Sequence, residues 1–364
     1  MSKNINVEKS QSVYFDLVYE CGNVKVKSRP SAAKWYLNNE EIGSTPGEKT
    51  ALKEGQYDVK VVKDGYIDWT GKVTVKAGGV ESIEAVLKEV DKIKGEWKEP
   101  ITGIEFVLIP AGKFDMGSPD DEKSRSSDEG PVHEVTLDAF YMAKYEVTNS
   151  QYVKFLNDVG KRGPSGQQWF NTEQESSYSK ISGTAGNFNV KAGYENHPVV
   201  TVSYYGAEAF VKWLAGKTGK KISLPTEAEW EYACRAGTST PFYFGNCLST
   251  SQANYDGNYP YEGCDKGKYI QAPVKVGSYP KNNFGLFDMH GNVWEWCLEF
   301  YDSNYYKSSP EKNPMGPSSG SSRVLRGGSW NSYARSCRSA NRSDYSPSIL
   351  YDDVGLRPCI RLGQ

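Results

Sequence analysis

Between residues 24 and 87, apolar and polar positions alternate with a period of two. Lys25 separates Val24 from Val26, Asp58 and Lys60 separate Tyr57, Val59 and Val61, and Thr74 separates Val73 from Val75. Such alternation gives a strand one buried and one wet face. Asn38-Asn39 and Asp64-Gly65 are turn pairs between these runs, so a small sheet of antiparallel strands is expected. The next stretch, KEVDKIKGEWKEP at residues 88–100, is charged and aperiodic and reads as a linker. Beyond it the texture changes. FVLIPAG at residues 106–112 is a strand entering a turn, and residues 135–141 form another strand. Three helix starts carry capping signatures: Thr148 with Gln151, Ser203 ahead of Ala207, Phe210, Val211 and Leu214, and Thr226 with Glu229 after Pro225. From residue 237 onward, long helical periodicity is absent and Gly, Asn, Ser, Tyr and Pro dominate. The pattern predicts an α+β fold with few helices, small sheets and long irregular loops, the kind of loop that commonly carries function.

Composition removes several classes of function. Basic residues number 43 and acidic residues 45, a net charge of -2. Neutralising phosphates needs a local basic excess, so no nucleic-acid partner is expected. No apolar run approaches the roughly 20 residues that span a bilayer, so no membrane span is expected either. Nine Trp and 25 Tyr supply enough aromatic area for packed cores, which argues against global disorder. Residues 1–21 form an extension with neither the basic start nor the apolar centre of a secretory leader. The seven cysteines, Cys21, Cys234, Cys247, Cys264, Cys297, Cys337 and Cys359, include no CxxC pair, which argues against a zinc ribbon. Their odd number and the absence of a leader pattern point to a reducing, cytoplasmic setting.

Residues 22–87 resemble a PEGA domain through Gly22-Asn23-Val24-Lys25-Val26 with Pro30, Ser44-Thr45-Pro46-Gly47-Glu48, Gly55-Gln56-Tyr57 and Asp64-Gly65-Tyr66. The resemblance implies a small all-β module that spaces its neighbour or offers an assembly contact. After a linker at residues 88–103, residues 104–364 carry an ordered set of motifs. These are IPAGKFDMGS (109–118), FYMAKYEVTN (140–149), HPVVTVSYYGAEAF (197–210), LPTEAEWEYACRAG (224–237), FGLFDMHGNVWEW (284–296), RVLRGGSW (323–330), CRSANR (337–342) and GLR (355–357). They resemble the formylglycine-generating enzyme (sulfatase-modifying factor) family, which implies a C-type-lectin-like fold.

The chemistry implied by that family is only partly present. In its oxidase branch, two closely spaced cysteines after the GGS motif bind copper. Here GGSWNSYARSCRSANR (327–342) holds only Cys337, and a copper–thiolate site wants two soft ligands. Copper, and oxygen-dependent formylglycine formation with it, are therefore not expected. An oxidase or related non-haem metal enzyme acting on protein cysteine is one alternative, and a structural or adaptor module is another. Iron-dependent relatives cluster histidines, whereas His133, His197 and His290 form no HxxxH pattern and read as hydrogen-bonded residues of packed turns. Glu227, Glu229 and Glu231 sit at a capped helix start, where the dipole favours carboxylates. Asp120-Asp121-Glu122 and Asp128-Glu129 read as a solvated acidic loop. Gly327-Gly328 lacks the helix start and Lys-Ser/Thr of a phosphate cradle. The resemblance does imply structural calcium at the GNVWEW turn, through the side chains of Asp288 and Glu295 and the carbonyls of Gly291 and Val293, an oxygen set that suits this hard cation. A second site would use Asn254 and the Tyr255 carbonyl, with Gly277 standing where an aspartate partner would be.

The C-terminal stretch also resembles variable proteins of diversity-generating retroelements, in which adenine-directed mutagenesis of asparagine-type codons alters scattered residues on a fixed scaffold. Within residues 331–354 the corresponding positions are Asn331, Ser332, Tyr333, Ser336, Ser343, Asp344, Tyr345, Ser346, Ser348, Ile349, Leu350, Tyr351, Asp352, Asp353 and Val354. All these residue types are reachable when the first two bases of such a codon change. Tyr, Ser and Asp also form the alphabet of a paratope, rigid rings beside small adaptable hydrogen-bonders. A non-catalytic binding protein with a protein ligand on this surface is expected, with an ordinary polar loop as the plain alternative. Trp294, Trp296 and Trp330 read as core packing rather than a ligand cage. Cys297 and Cys337 lie in motifs that could meet across a sheet, but a disulfide between them is not expected.

Overall fold

The computed structural model describes residues 21–63, 69–87 and 95–362. The extension at 1–20, the Asp64-Gly65 turn with Tyr66, and residues 88–94 of the linker lie outside the described residues. The chain divides into two compact units between Lys92 and Ile93.

In the first unit, strand Cys21–Arg29 buries every second residue, Val24 and Val26 among them. A three-stranded sheet orders Gly47–Lys53, Cys21–Arg29 and Val80–Val86, and a four-stranded sheet orders Glu40–Ser44, Lys34–Leu37, Gly55–Val62 and Trp69–Val75. Trp35, Val59, Val61, Val73, Val75 and Ala85 fill the core. Gly47 is required there, because a Cβ would stand 2.6 Å from the Trp35 indole nitrogen. One expectation is corrected: Val80–Val86 runs parallel, not antiparallel, to Cys21–Arg29. Strand direction is fixed by the return path of the chain, which local alternation does not encode.

In the second unit the three capped helices appear where the sequence places them. α1 (Asn149–Val159) and α3 (Glu227–Arg235) have capping boxes at Thr148 and Thr226, and α2 (Tyr204–Thr218) is capped by Ser203. Tyr152, Phe155 and Leu156 of α1 and Ala207, Phe210, Val211 and Leu214 of α2 share one core with Phe106, Tyr141, Trp294, Trp296 and Leu325. α3 packs in a second core with Ile109, Val135, Met142, Met289 and Cys297.

A five-stranded sheet runs Ile222–Ser223, Cys359–Arg361, Phe140–Ala143, Glu105–Ile109, Glu96–Lys98, and a four-stranded sheet runs Ser343–Tyr345, Arg323–Arg326, Trp294–Phe300, Val354–Gly355. The C-terminal segment thus enters both sheets. Two element boundaries differ from expectation. Residues 135–141 are not one strand: His133–Leu137 pairs with Gly112–Met116, and after Asp138-Ala139 the chain changes partners as Phe140–Ala143. The second half of the linker is structured, because Glu96–Lys98 pairs with Glu105–Ile109 and buried Glu99 accepts the Ile101, Thr102 and Ile104 amides. No helix among the described residues is long and apolar enough to cross a membrane.

Candidate functional site

The frame of the site is a set of buried charge pairs. Every residue of α3 is buried. Glu227 takes a fork from Arg342 at 2.7 and 2.9 Å, Glu229 one from Arg361 at 2.7 and 2.6 Å, and Glu231 is held by Arg326 at 2.5 Å and Arg235 at 2.8 Å. Glu227 and Glu229 do lie in the first turn of α3, but the main partners of all three carboxylates are guanidinium groups and not the dipole. Burial alone would raise the Glu227 carboxyl, yet Arg342 and Arg326 hold it below the usual range.

The acidic-loop expectation is corrected in the same way. Glu129 is fully buried, and Arg338 grips both its oxygens at 2.6 and 2.7 Å and also Glu122 at 2.5 Å. Burial would raise Glu129, but the guanidinium outweighs it and the carboxyl stays below its ordinary value.

The position where the oxidase resemblance places redox chemistry is sealed. Cys337 is fully buried, and its thiol lies 3.7 Å from the Tyr333 carbonyl. Gly328 has φ +76°, and a Cβ there would stand 2.5 Å from the Cys337 sulfur, so the GGS turn is packed onto the thiol. Burial pushes the Cys337 thiol well up and Cys234 up to about 12, so both stand as neutral thiols. His290 fastens this segment: its Nδ1 meets the Cys337 carbonyl at 2.7 Å, and Nε2 accepts the Tyr243 amide at 3.0 Å. Burial lowers its pKa to about 3, so the ring is neutral and structural. His133 meets the Pro131 carbonyl at 3.0 Å, while His197 is half-buried at the edge of a cleft.

Cys297 and Cys337 are both free and sit in different core clusters. The disulfide joins Cys247 to Cys264 instead, stapling a loop between α3 and Trp294–Phe300. Its only sequence signal is two cysteines flanking an irregular segment rich in Tyr, Gly and Asn.

Around the GNVWEW turn the buried groups are mostly oxygen donors. Asp288 Oδ2 accepts the Gly277 amide at 2.6 Å, whereas Oδ1 is buried and unpartnered, as is Asn254 Oδ1. Gly277 therefore does reach this cluster, through its backbone. Glu146, which the sequence reading missed, lies 3.1 Å from Asn292 Nδ2 through each carboxylate oxygen. Burial, then the nearby Asp288, raise its carboxyl well above the ordinary range. Glu295 fits a cation less well, because Arg357 occupies both its oxygens at 2.7 to 3.0 Å and the Trp230 indole donates to one at 2.7 Å. The Tyr255 ring is buried and its hydroxyl donates to the Leu248 carbonyl.

The fifteen surface candidates separate into display and frame. Asn331, Tyr333, Ser346, Ser348 and Tyr351 are exposed. Ser332, Ser336, Ser343, Asp344, Tyr345, Ile349, Leu350 and Asp352 are half-buried. Asp353 and Val354 are corrected to frame residues. Asp353 is buried and accepts the Ser329 hydroxyl at 3.1 Å, and Val354 pairs with Trp294 as a buried strand residue.

The exposed residues belong to an aromatic surface larger than their own segment. Tyr333 stacks on Tyr259 with centroids 4.0 Å apart. Trp330 lies beneath Tyr178 at 5.8 Å and Tyr269 at 6.3 Å, and its indole donates to the Asp352 carbonyl at 3.3 Å. Tyr351 meets Tyr345 edge-on at 5.1 Å. Main-chain bonds from the Asp256 amide to the Ser332 carbonyl and from the Ala334 amide to the Tyr259 carbonyl lock the two loops together. Trp294 and Trp296 are core, as expected. Trp330 is also buried, beneath the exposed Tyr178 and the half-buried Tyr269.

A model of the sulfatase-modifying factor enzyme 1-like domain matches residues 94–362, and one of the PEGA domain matches residues 21–91. The chain belongs to the sulfatase-modifying factor family. Its relatives in this family include the formylglycine-generating enzyme of Streptomyces coelicolor, 34% identical over 69% of this chain and 87% of that protein. The serine/threonine-protein kinase pkn1 of Chlamydia caviae is 35% identical over 75% of this chain, which spans only 40% of the kinase's length. PvdO from Pseudomonas aeruginosa superposes with a TM-score of 0.59 at 30% identity, covering 75% of this chain and 99% of that one. Treponema denticola variable protein 1 shares the sulfatase-modifying factor fold at a TM-score of 0.54 and 24% identity, covering 74% and 99%. Within this family frame, the site combines a buried thiol with an open aromatic face. Tyr178, Tyr259 and Tyr269 of that face were missed by sequence reasoning, because they come from loops without periodicity.

Proposed function

We propose that the second unit is a non-catalytic recognition domain, with a protein ligand lying across the aromatic face around Tyr333. The observation that carries this reading is the exposure of rings held against other rings: Tyr259 is 50% exposed, Tyr351 49%, Tyr178 41% and Tyr333 38%. Rigid tyrosines offer large contact area at little entropic cost, and they recur as interface anchors. The first unit is proposed as the spacer or assembly contact.

Selection from a random peptide library displayed on phage tests the reading. Selected peptides are expected to lose about tenfold or more in affinity on Tyr333→Ala or Tyr259→Ala, the scale of an interface anchor. Peptides that bind both variants as they bind the parent would place recognition elsewhere.

We also propose calcium as a brace of the GNVWEW turn, held by Asp288 with the Gly291 and Val293 carbonyls. The unpartnered Asp288 Oδ1 supports it; Glu295 would have to share its oxygens with Arg357. An ion that binds only the folded state stabilises it. Millimolar calcium should therefore raise the Tm of the parent and not of Asp288→Asn, and a parent Tm indifferent to calcium would remove the ion from the account.

A further inference from the structure

Beside the aromatic face lies a cleft of about 180 Å³, lined by Tyr178, Lys180, Tyr194, His197, Val200 and Pro273 among others. Tyr178 joins the two, since it also stacks on Trp330. The cleft gathers cations around aromatic walls. Lys180 Nζ stands 5.3 Å above the Tyr194 ring and donates to the Ser177 carbonyl at 2.8 Å, and it makes no ion pair among the described residues. Lys191 Nζ stands 5.9 Å from the same ring. His197 Nδ1 is buried without a hydrogen-bond partner.

Two carboxylates stand near these cations. Glu173 lies 3.5 Å from Lys191, and Glu195 accepts the Gly193 amide at 3.1 Å. Burial and the neighbouring Lys191 depress the Lys180 pKa. Burial depresses His197 as well, with Lys180 and Lys275 adding to the effect against Glu195. A half-buried ammonium beside a second ammonium, with an imidazole in the same wall, is an arrangement that a bound anion would relieve.

We propose that this cleft receives an anionic group, a carboxylate or a phosphate, carried on a flat ring that lies against Tyr178 and Tyr194. Lys180 supplies the charge, and His197 stands in the wall beside it, close enough to sense the bound anion. The cleft would then read one acidic position of the ligand that crosses the neighbouring face. The inference rests on the recognition reading for its biological meaning, but free small molecules test it directly. Loss of the Tyr333 effect on peptides with intact probe binding would sink that reading and leave the cleft.

The probes are 4-hydroxyphenylacetate, its neutral analogue 4-hydroxyphenylethanol, and inorganic phosphate, followed by NMR of the histidine rings and by calorimetry on the full chain. The acid is expected to bind, to raise the His197 pKa, and to bind at least about tenfold more tightly than the alcohol, the scale of a charge-assisted hydrogen bond. Lys180→Gln should lose about the same factor and Lys180→Arg should keep most of the affinity. Displacement of the acid by phosphate assigns a phosphate-bearing ligand; acid binding that phosphate leaves untouched assigns a carboxylate. Equal affinity for acid and alcohol, a Lys180→Gln protein that binds like the parent, or a His197 ring unmoved by any probe would overturn the proposal.

Discussion

Replacing Arg326 by alanine should cost the second unit about 3–5 kcal/mol, the typical price of stranding a buried charge. The side chain is fully buried. It bonds Glu231 at 2.5 Å, the Ser339 carbonyl at 2.8 Å and the Ala340 carbonyl at 2.9 Å, reaches the Asn341 carbonyl, and lies 3.8 Å from Glu227. Alanine would leave Glu231 with Arg235 as its only cation and three carbonyls without their donor. Domain stabilities are commonly only about 5–15 kcal/mol, so the loss is a large share. Arg29→Ala is the matched control. Arg29 pairs with Glu84 at 2.5 Å, but both side chains are mostly exposed, so about 0–1 kcal/mol is expected. Urea unfolding of the three proteins makes the comparison, and a loss below about 1 kcal/mol for Arg326→Ala would show that the guanidinium frame does not hold the fold.

Glu299→Gln should do the reverse, stabilising the protein at alkaline pH. Glu299 is buried, its Oε1 accepts the Glu227 amide at 2.6 Å, and its Oε2 has no partner. Burial, then the nearby Glu227, raise its pKa from 4.5 to about 8. Between those values the folded protein holds a proton that the unfolded chain has released, so stability falls as pH rises through this window. Glutamine keeps an acceptor for the Glu227 amide and carries no charge. At pH 9 the variant should be more stable by roughly 2–4 kcal/mol, and below pH about 4 the two proteins should converge. Paired thermal melts across pH measure it. Parallel profiles, or a variant weaker throughout, would mean that Glu299 ionises freely in the folded state. At the acid end the sign is opposite. Glu129 and Glu227 are held below their ordinary values, so their contribution is present above the unfolded value and is lost as pH falls through the folded one.

What the sequence made legible was mostly local. The caps at Thr148, Ser203 and Thr226 act within one turn, and all three mark helix starts in the structure. The alternation around Val24 and Val26 likewise reports the burial of a single strand. The features that escaped depend on remote partners. Glu129 meets Arg338 across 209 residues and Glu231 meets Arg326 across 95, so an acidic run looked solvated and a helix start looked sufficient by itself. The parallel partner of Cys21–Arg29 and the Cys247 to Cys264 disulfide are long-range in the same sense. Part of the aromatic face was legible, because Tyr333 and Tyr351 fall in the stretch resembling variable proteins. Tyr178, Tyr259 and Tyr269 reach it from other loops. Asp353 and Val354 fell in that stretch too, but packing assigns them to the frame.

The Cys337 thiol is closed off beneath Gly328, and the proposed recognition would use the open rings instead. The most direct test adds Cu(I), oxygen and a cysteine-containing sulfatase-type peptide to the reduced 364-residue chain, following oxygen uptake and the mass of the peptide. The account predicts uptake no faster than in a copper-only blank and a peptide of unchanged mass. Catalytic conversion of the cysteine to formylglycine, lost in Cys337→Ala, would contradict it.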